Sequence, residues 1–181
     1  GFQKELRKAV IAFPGNILAP VDYKQMEYRL LASYSKDAQM LADIRADKDV
    51  HRETASRDFK IPVASVLDDV RDKVKAIVYG IIYGRSPKSI AKSLGLPEEA
   101  GEEVVTSFFE PYPDARKWVS SQQNLALTAG FVTTVLNRRR RLPWVCYTAQ
   151  HRSDALRQAV NAPIQGLASD ITGIAEIRIF N

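Results

Sequence analysis

The chain has 181 residues, of which 45% are hydrophobic and 26% are charged, a composition typical of a globular protein with a core of its own. No apolar run approaches the roughly 20 residues that span a bilayer, so we expect no membrane-spanning segment. The single cysteine, Cys146, excludes an intrachain disulfide and a cysteine-rich metal site, and we expect an intracellular protein.

The first third of the chain predicts one strand and three short helices. A turn at 14–16 precedes an apolar segment, 17–23, which we predict to be a strand with Asp22 near its end. Asp37 is the expected N-cap of the second helix. The three predicted helices are 25–34, 37–46 and 51–59.

The rest of the chain predicts mainly helices. Pro62 interrupts the chain, and a long helix should begin between 65 and 69 and run to about 84. The later predicted helices are 86–95, 97–110, 113–130, 150–160 and, after a break at Pro163, 164–180. Residues 131–136 predict a second strand, which we expect to pair with 17–23. The predicted fold class is α+β and mostly helical, and the apolar end of the last helix indicates a truncated chain.

The long helix around residue 75 carries the most informative pattern. Arg71, Lys75, Tyr79 and Tyr83 recur every four residues and therefore share one face. A nucleoside triphosphate requires this order of groups, with positive charge for the phosphates and then a flat surface for sugar and base. An amphipathic helix with buried tyrosines and solvated cations would show the same spacing. The Tyr-Gly steps at 79–80 and 83–84 suggest that something approaches the backbone closely, because glycine in a helix costs up to ~1 kcal/mol.

Residues 132–160 hold an excess of positive charge equal to the whole net charge of the chain, +5. The segment contains one acid, Asp154, and six arginines: Arg138, Arg139, Arg140, Arg141, Arg152 and Arg157. Such a concentration of arginine favours a phosphate-rich partner, although an exposed charge run that aids solubility would have the same composition.

Other polar residues leave two interpretations open. Asp22 could hold Mg²⁺ or could cap the following helix. His51 could contact a phosphate or be structural. Arg157, Asn161 and Gln165 recur every four residues and could bind base edges or sugars, or could form a polar helix face.

Together, these segments resemble the motifs of the family A DNA polymerases, in order and over almost the whole chain. Lys24 stands where the family usually has serine, and Asn137 replaces a glycine. The matching segments are 21–29 (first catalytic motif), 49–51, 71–84 (the fingers helix), 108–113, 130–134 with 138–143, and 157 with 161–166.

The resemblance implies the fingers and part of the palm of a right-hand polymerase. Palm would be 1–36 and 131–181, and fingers 37–130, with the family's second metal-binding acid beyond the last residue. It also implies a template-directed DNA polymerase that binds deoxynucleoside triphosphates, primer-template DNA and two Mg²⁺ ions, as a monomer and without a membrane. The alternatives are a non-catalytic nucleic-acid-binding fragment and a single-subunit RNA polymerase.

The resemblance also implies residue roles. Asp22 and Lys75 would be catalytic, Asp22 and the carbonyl of Tyr23 would hold metal, and Glu27 would exclude a ribose 2′-hydroxyl. The nucleotide-binding residues would be Gln25, Glu27, His51, Arg71, Lys75, Tyr79 and Tyr83. The DNA-binding residues would be Arg138, Arg139, Arg140, Arg157, Asn161 and Gln165.

Overall fold

The computed structural model describes residues 8–180, and α-helices dominate that part of the chain, which confirms the expected fold class. Residues 1–7 and 181, which belong to the two expected palm segments, lie outside the described residues. The helices are α1 (Met26–Ser35), α2 (Ala38–Arg45), α3 (Val50–Phe59), α4 (Asp68–Ile82), α5 (Pro87–Leu94), α6 (Ala100–Phe109), α7 (Pro113–Ala129) and α8 (Ala149–Phe180). Two 3₁₀ turns, Val63–Ser65 and Pro143–Cys146, and two short strands complete this part of the chain.

Side-chain caps explain where several helices begin. The buried carboxylate of Asp37 accepts hydrogen bonds from the backbone N–H groups of Gln39 and Met40, as the sequence predicted. Its second oxygen accepts from the N–H groups of Asp114 and Ala115, at 3.0 and 3.2 Å. One carboxylate therefore caps both α2 and α7 and ties together two helices that are far apart in sequence.

The strand predicted over 17–23 is wrong. The segment has no regular secondary structure, and its apolar residues Ile17 and Val21 are 88% and 90% exposed. Pro20 lacks the N–H group that a strand would use for pairing. The expected pairing of this segment with 131–136 is wrong as well.

The strand that begins at Phe131 pairs instead with the arginine block. Strand β1 (Phe131–Thr133) and strand β2 (Arg139–Arg141) are antiparallel, with Phe131 opposite Arg141 and Thr133 opposite Arg139. The turn between them contains Asn137 at φ 61°, a left-handed conformation that asparagine tolerates. Asparagine can therefore replace glycine there, and the block becomes one side of a hairpin.

The helix break predicted at Pro163 is also wrong, because α8 runs without interruption from Ala149 to Phe180. Proline cannot donate to the carbonyl of Ala159, four residues earlier, and a helix interior normally rejects it. Tertiary contacts hold the helix together. Pro163 and Ile164 are buried, and the Tyr34 hydroxyl donates to the Pro163 carbonyl at 3.1 Å.

Helix α6 begins at Ala100, three residues later than predicted, and residues 98–99 form a turn. The start is set by packing on α5. A Cβ atom at Gly101 would lie 2.2 Å from the carbonyl oxygen of Pro87, so only glycine allows this approach.

The described residues form two apolar cores. The larger core lies among α1–α7, centres on Tyr28, Leu31, Val78 and Phe108, and is completed by Ile164 of α8. The smaller core packs the hairpin against α7 and α8, and its buried members include Val132, Leu142 and Ala159. Both cores contact α8, which therefore positions the hairpin relative to α4.

Candidate functional site

A cleft of about 290 Å³ lies between α4, the loop before α1, and the chain that leads into α3. The α4 side carries Arg71, Lys75 and Tyr79, three of the four residues that the spacing placed on one face. The opposite side is formed by 22–25, and the third side by Asp47, Asp49 and His51. The structure thus brings together three segments that are separate in sequence.

The two α4 cations differ in their partners. The Nε atom of Arg71 lies 2.6 Å from Oδ2 of Asp49, and this hydrogen bond raises the pKa of Arg71. Burial raises the pKa of the Asp49 carboxyl, but hydrogen bonds from Arg71 and from the backbone of α3 outweigh it and leave the pKa below its ordinary value. Lys75 is exposed and forms no ion pair with any residue between 8 and 180. Of the two α4 cations that line the cleft, Lys75 is therefore the one that is free to bind an anion.

His51 lies beneath the cleft and is only 2% exposed. Burial lowers the pKa of His51 to about 4, with Arg71 and Lys75 acting in the same direction and Asp49 opposing them. Its Nδ1 atom has no hydrogen-bond partner within the described part of the chain. At neutral pH the ring is uncharged, so a contact from His51 to a phosphate would be a neutral hydrogen bond.

The aromatic half of the α4 face leads inward from the cleft. The rings of Tyr79 and Tyr83 are 6.0 Å apart, and the Tyr83 hydroxyl donates to Oε1 of Glu27 at 3.0 Å. Burial and this hydrogen bond raise the pKa of Tyr83 to about 12, while a hydrogen bond with Gln165 opposes them. Burial also raises the pKa of Tyr79, and the nearby carboxyl groups of Glu27 and Asp22 raise it further. Four predicted site residues, from α1, α4 and α8, are thus neighbours.

Asp22 and Tyr23 line the same cleft, in the irregular segment before α1. Asp22 is exposed and has no hydrogen bond or ion pair with residues 8–180, so its carboxylate is available to a cation. Within those residues no three acidic, histidine or cysteine side chains are grouped as a metal site. One free carboxylate fits Mg²⁺, which binds proteins through one or two carboxylates and takes its other ligands from water and substrate phosphates.

Three residues of the cleft were given no role by sequence reasoning: Lys24, Asp47 and Asp49. Asp49 caps α3 through the N–H groups of His51 and Arg52 and also holds Arg71. Its position immediately before a helix is the local signal that could have identified the cap. The ion pair between Lys24 and Asp47 joins residues 23 positions apart, and no local pattern predicts it.

Three of the four predicted DNA-binding arginines, Arg138, Arg139 and Arg140, lie on the hairpin and are exposed. Arg138 donates to the Gly166 carbonyl at 2.8 Å and pairs with Asp170, so it ties the turn to α8. The guanidinium of Arg139 lies 4.2 Å from the centre of the Phe131 ring. Arg140 donates to Gln158 at 2.7 Å. Arg139 and Arg140 have no carboxylate partner among residues 8–180, so they form a cationic surface on β2.

Because α8 is continuous, Arg157, Asn161 and Gln165 lie along one side of it. Arg157 pairs with Asp154 at 3.1 Å, and Gln165 is exposed beside Tyr83. Gly84, at φ 68°, explains the glycine pattern, since a Cβ atom there would lie 3.2 Å from Cα of Arg157. At Gly80 the close neighbour is the side chain of Arg85. The sequence predicted that some group approaches the backbone at these glycines, and in the structure that group is another part of the same chain.

Comparison with known proteins gives a consistent result. The model of DNA polymerase family A matches residues 1–181. The chain is 37% identical over 179 residues to DNA polymerase I of Borreliella burgdorferi and 35% identical over 179 residues to DNA polymerase theta of Mus musculus. Each match covers 98% of this chain, but only 20% and 7% of the respective relatives.

A solved structure is similar to most of the chain. It is the POL domain of Pol1 from M. smegmatis in complex with DNA primer-template and dNTP, with a TM-score of 0.79 and 36% sequence identity. The match covers 85% of this chain and 27% of that one. Between residues 8 and 180, no helix is long and apolar enough to cross a membrane.

Proposed function

Because the chain belongs to DNA polymerase family A, we propose that it is the part of a template-directed DNA polymerase that grips the incoming nucleotide and the primer-template. In the proposed reaction the primer 3′-hydroxyl attacks the α-phosphate of a deoxynucleoside triphosphate, and pyrophosphate leaves. The palm would comprise 1–36 and 131–181, and the fingers 37–130. The observation that carries the proposal is the cleft that brings Asp22 to the cationic face of α4.

Within the cleft, Lys75 and Arg71 would bind the triphosphate, with His51 as a neutral hydrogen-bonding partner. Positioning and charge neutralisation are the main requirements of phosphoryl transfer. Lys75 has the more direct access, because Arg71 is held by Asp49. Gln25, beside them, also lines the cleft.

The sugar and base would lie toward Tyr79 and Tyr83. Glu27 would exclude a ribose 2′-hydroxyl, and the hydrogen bond from Tyr83 holds its carboxylate in place. In this role Glu27 would favour a DNA polymerase over an RNA polymerase, because its carboxylate would occupy the space that a 2′-hydroxyl needs. The primer-template would contact the hairpin arginines and the polar side of α8, which carries Arg157, Asn161 and Gln165.

Asp22 and the Tyr23 carbonyl would contribute ligands to two Mg²⁺ ions. When bound, these ions supply charge stabilisation for the attacking and leaving oxygens. Since the chain spans about a fifth of the length of its bacterial relative, the remaining ligands can come from outside these 181 residues.

Two measurements test the proposal: binding of dATP and primer-template by the 181-residue chain, and Mg²⁺-dependent primer extension. We expect dATP and DNA to bind, and we expect Asp22→Ala to abolish any extension while leaving DNA binding intact. Asp69→Ala, which removes an exposed acid on α4, is the control and should change neither. A chain that binds DNA but no nucleotide would contradict the proposal and support a non-catalytic nucleic-acid-binding fragment. That alternative is favoured by the finding that, within residues 8–180, no three acidic, histidine or cysteine side chains are grouped so that they could hold a metal ion.

A further inference from the structure

Lys24 and Asp47 form an ion pair beside the proposed phosphate-binding cations. Lys24 lies in the segment before α1, and Asp47 lies between α2 and α3. The Nζ atom of Lys24 donates to Oδ1 of Asp47, and both residues line the cleft that contains Asp22 and Lys75. The pair therefore connects two sides of the cleft.

This ion pair is exposed and therefore exchangeable. The side chains of Lys24 and Asp47 are 56% and 71% accessible. Exposed ion pairs contribute little to stability, because water screens the charges and both side chains lose conformational freedom. A phosphate group carries more charge than a carboxylate and offers more oxygen atoms. A phosphate that enters the cleft can thus replace Asp47 as the partner of Lys24.

The backbone next to Lys24 is held in a specific conformation. Gln25 has φ 50°, in the left-handed region that side chains other than glycine rarely adopt. The Nε atom of Arg29 donates to the Lys24 carbonyl at 3.0 Å. Such backbone conformations are strained and cluster at functional sites. The strained residue here directly follows Lys24, which lines the cleft.

We propose that Lys24 is a third phosphate-binding cation of the nucleotide cleft, and that Asp47 holds it in place when the cleft is empty. This inference rests on the proposed function, because it assumes that the cleft binds a nucleoside triphosphate. Lys24 adds one positive charge to Arg71 and Lys75, the two α4 cations that line the cleft. Asp47 is then a competitor of the triphosphate.

The test measures dATP and dAMP binding to four variants by isothermal titration calorimetry. Lys24→Ser should weaken dATP binding about tenfold and dAMP binding less, because fewer phosphates are available to the lost cation. Lys24→Arg should retain most of the affinity. Asp47→Asn should strengthen dATP binding several-fold, and the double variant Lys24→Ser with Asp47→Asn should bind no better than Lys24→Ser.

The matched control is Lys88→Ser. Lys88 forms a similarly exposed ion pair with Glu98, at 2.8 Å, but does not line the cleft, so dATP binding should not change. Unchanged affinity in Lys24→Ser, or weaker binding in Asp47→Asn, would overturn the inference, since the second result would mean that the pair only braces the loops. If Lys75→Ala weakens dATP binding while Lys24→Ser does not, the proposed function stands and the inference fails. If the unaltered chain binds no dATP, both fail.

Discussion

The cleft on α4 and the hairpin β1–β2 both carry several cations, but the surroundings of these cations differ. In the cleft, Arg71 is paired with Asp49 and Lys24 with Asp47, so acids from other segments balance most of the positive charge. On β2, Arg139 and Arg140 contact an aromatic ring and an amide instead. One region is nearly neutral within itself, and the other is strongly positive.

This difference predicts two kinds of binding. Apart from Lys75, the cations of the cleft are already paired with acids, so the affinity of a ligand there depends on individual contacts and on the competing acids. A ligand of the hairpin meets exposed cations, so its affinity depends on long-range attraction and counterion release, which salt weakens steeply. A compact triphosphate suits the first region, and a nucleic-acid backbone suits the second.

The largest effect is expected at Lys75, the α4 cation that lines the cleft and has no acidic partner among residues 8–180. Lys75→Ala should weaken dATP binding roughly ten- to hundredfold, because a charge-assisted hydrogen bond contributes about 1.5–3 kcal/mol. Isothermal titration calorimetry measures the change. Lys73→Ala, an exposed cation on the same helix that does not line the cleft, should have no effect. Equal losses in both variants would mean that general charge, and not the cleft, attracts the nucleotide.

The hairpin provides the second test. The double variant Arg139→Gln with Arg140→Gln should weaken primer-template binding roughly tenfold at 0.15 M salt and reduce the slope of log K against log salt by about 2. Fluorescence anisotropy at several salt concentrations measures both. The control, Lys60→Gln with Lys92→Gln, removes the same charge from exposed positions outside the hairpin. A slope that changes equally in both variants would contradict the assignment of the DNA surface to the hairpin.

A smaller effect is expected at the inner end of the cleft, where an uncharged tyrosine hydroxyl donates to the Glu27 carboxylate. Tyr83→Phe removes the donor that holds Glu27 and should reduce the preference for dATP over ATP about three- to tenfold. Glu27→Ala should reduce it further, since the carboxylate itself is lost. Competition binding with the two nucleotides measures the preference. Tyr79→Phe leaves the hydrogen bond to Glu27 intact, so a loss of preference in that variant alone would locate the sugar selection elsewhere.

The smallest effect concerns the pH dependence of binding at His51. Its pKa of about 4 keeps the ring neutral from pH 6 to 8, so the ratio of dATP affinities of the unaltered chain and His51→Gln should stay constant over that range. A contribution from positive charge on His51 would appear only as the pH falls toward 4. The exposed His151, changed to Gln, is the control. A ratio that doubles between pH 8 and pH 6 would show that His51 is a cation in the cleft.

The same pKa affects stability. The unfolded chain takes up a proton at His51 near pH 6.5, whereas the folded chain takes it up only near pH 4. The stabilisation from neutral, buried His51 is therefore complete above pH 6.5 and is lost progressively as the pH falls to about 4.

Much of the fold was predictable where the signal is local. The N-cap of α2 at Asp37, the ends of α5 and α7 at Gly95 and Gly130, and the helix that carries Arg71 and Lys75 all depend on residues a few positions apart. Predictions failed where distant contacts outweigh local preference. Tyr34 and the burial of Ile164 keep α8 helical through Pro163, and the hairpin partner of Phe131 is the arginine block.

The sequence by itself determined which side chains share a helix face, because helical geometry is a local property of the backbone. It therefore placed Arg71, Lys75, Tyr79 and Tyr83 together, and its motifs pointed to the polymerase family that the comparisons confirm. Only the tertiary structure decided which charges meet across the cleft: Asp49 with Arg71 and Asp47 with Lys24. Those pairs depend on how separate segments pack against each other. Because the packing energy is distributed over the whole core, no short sequence pattern specifies which charges meet.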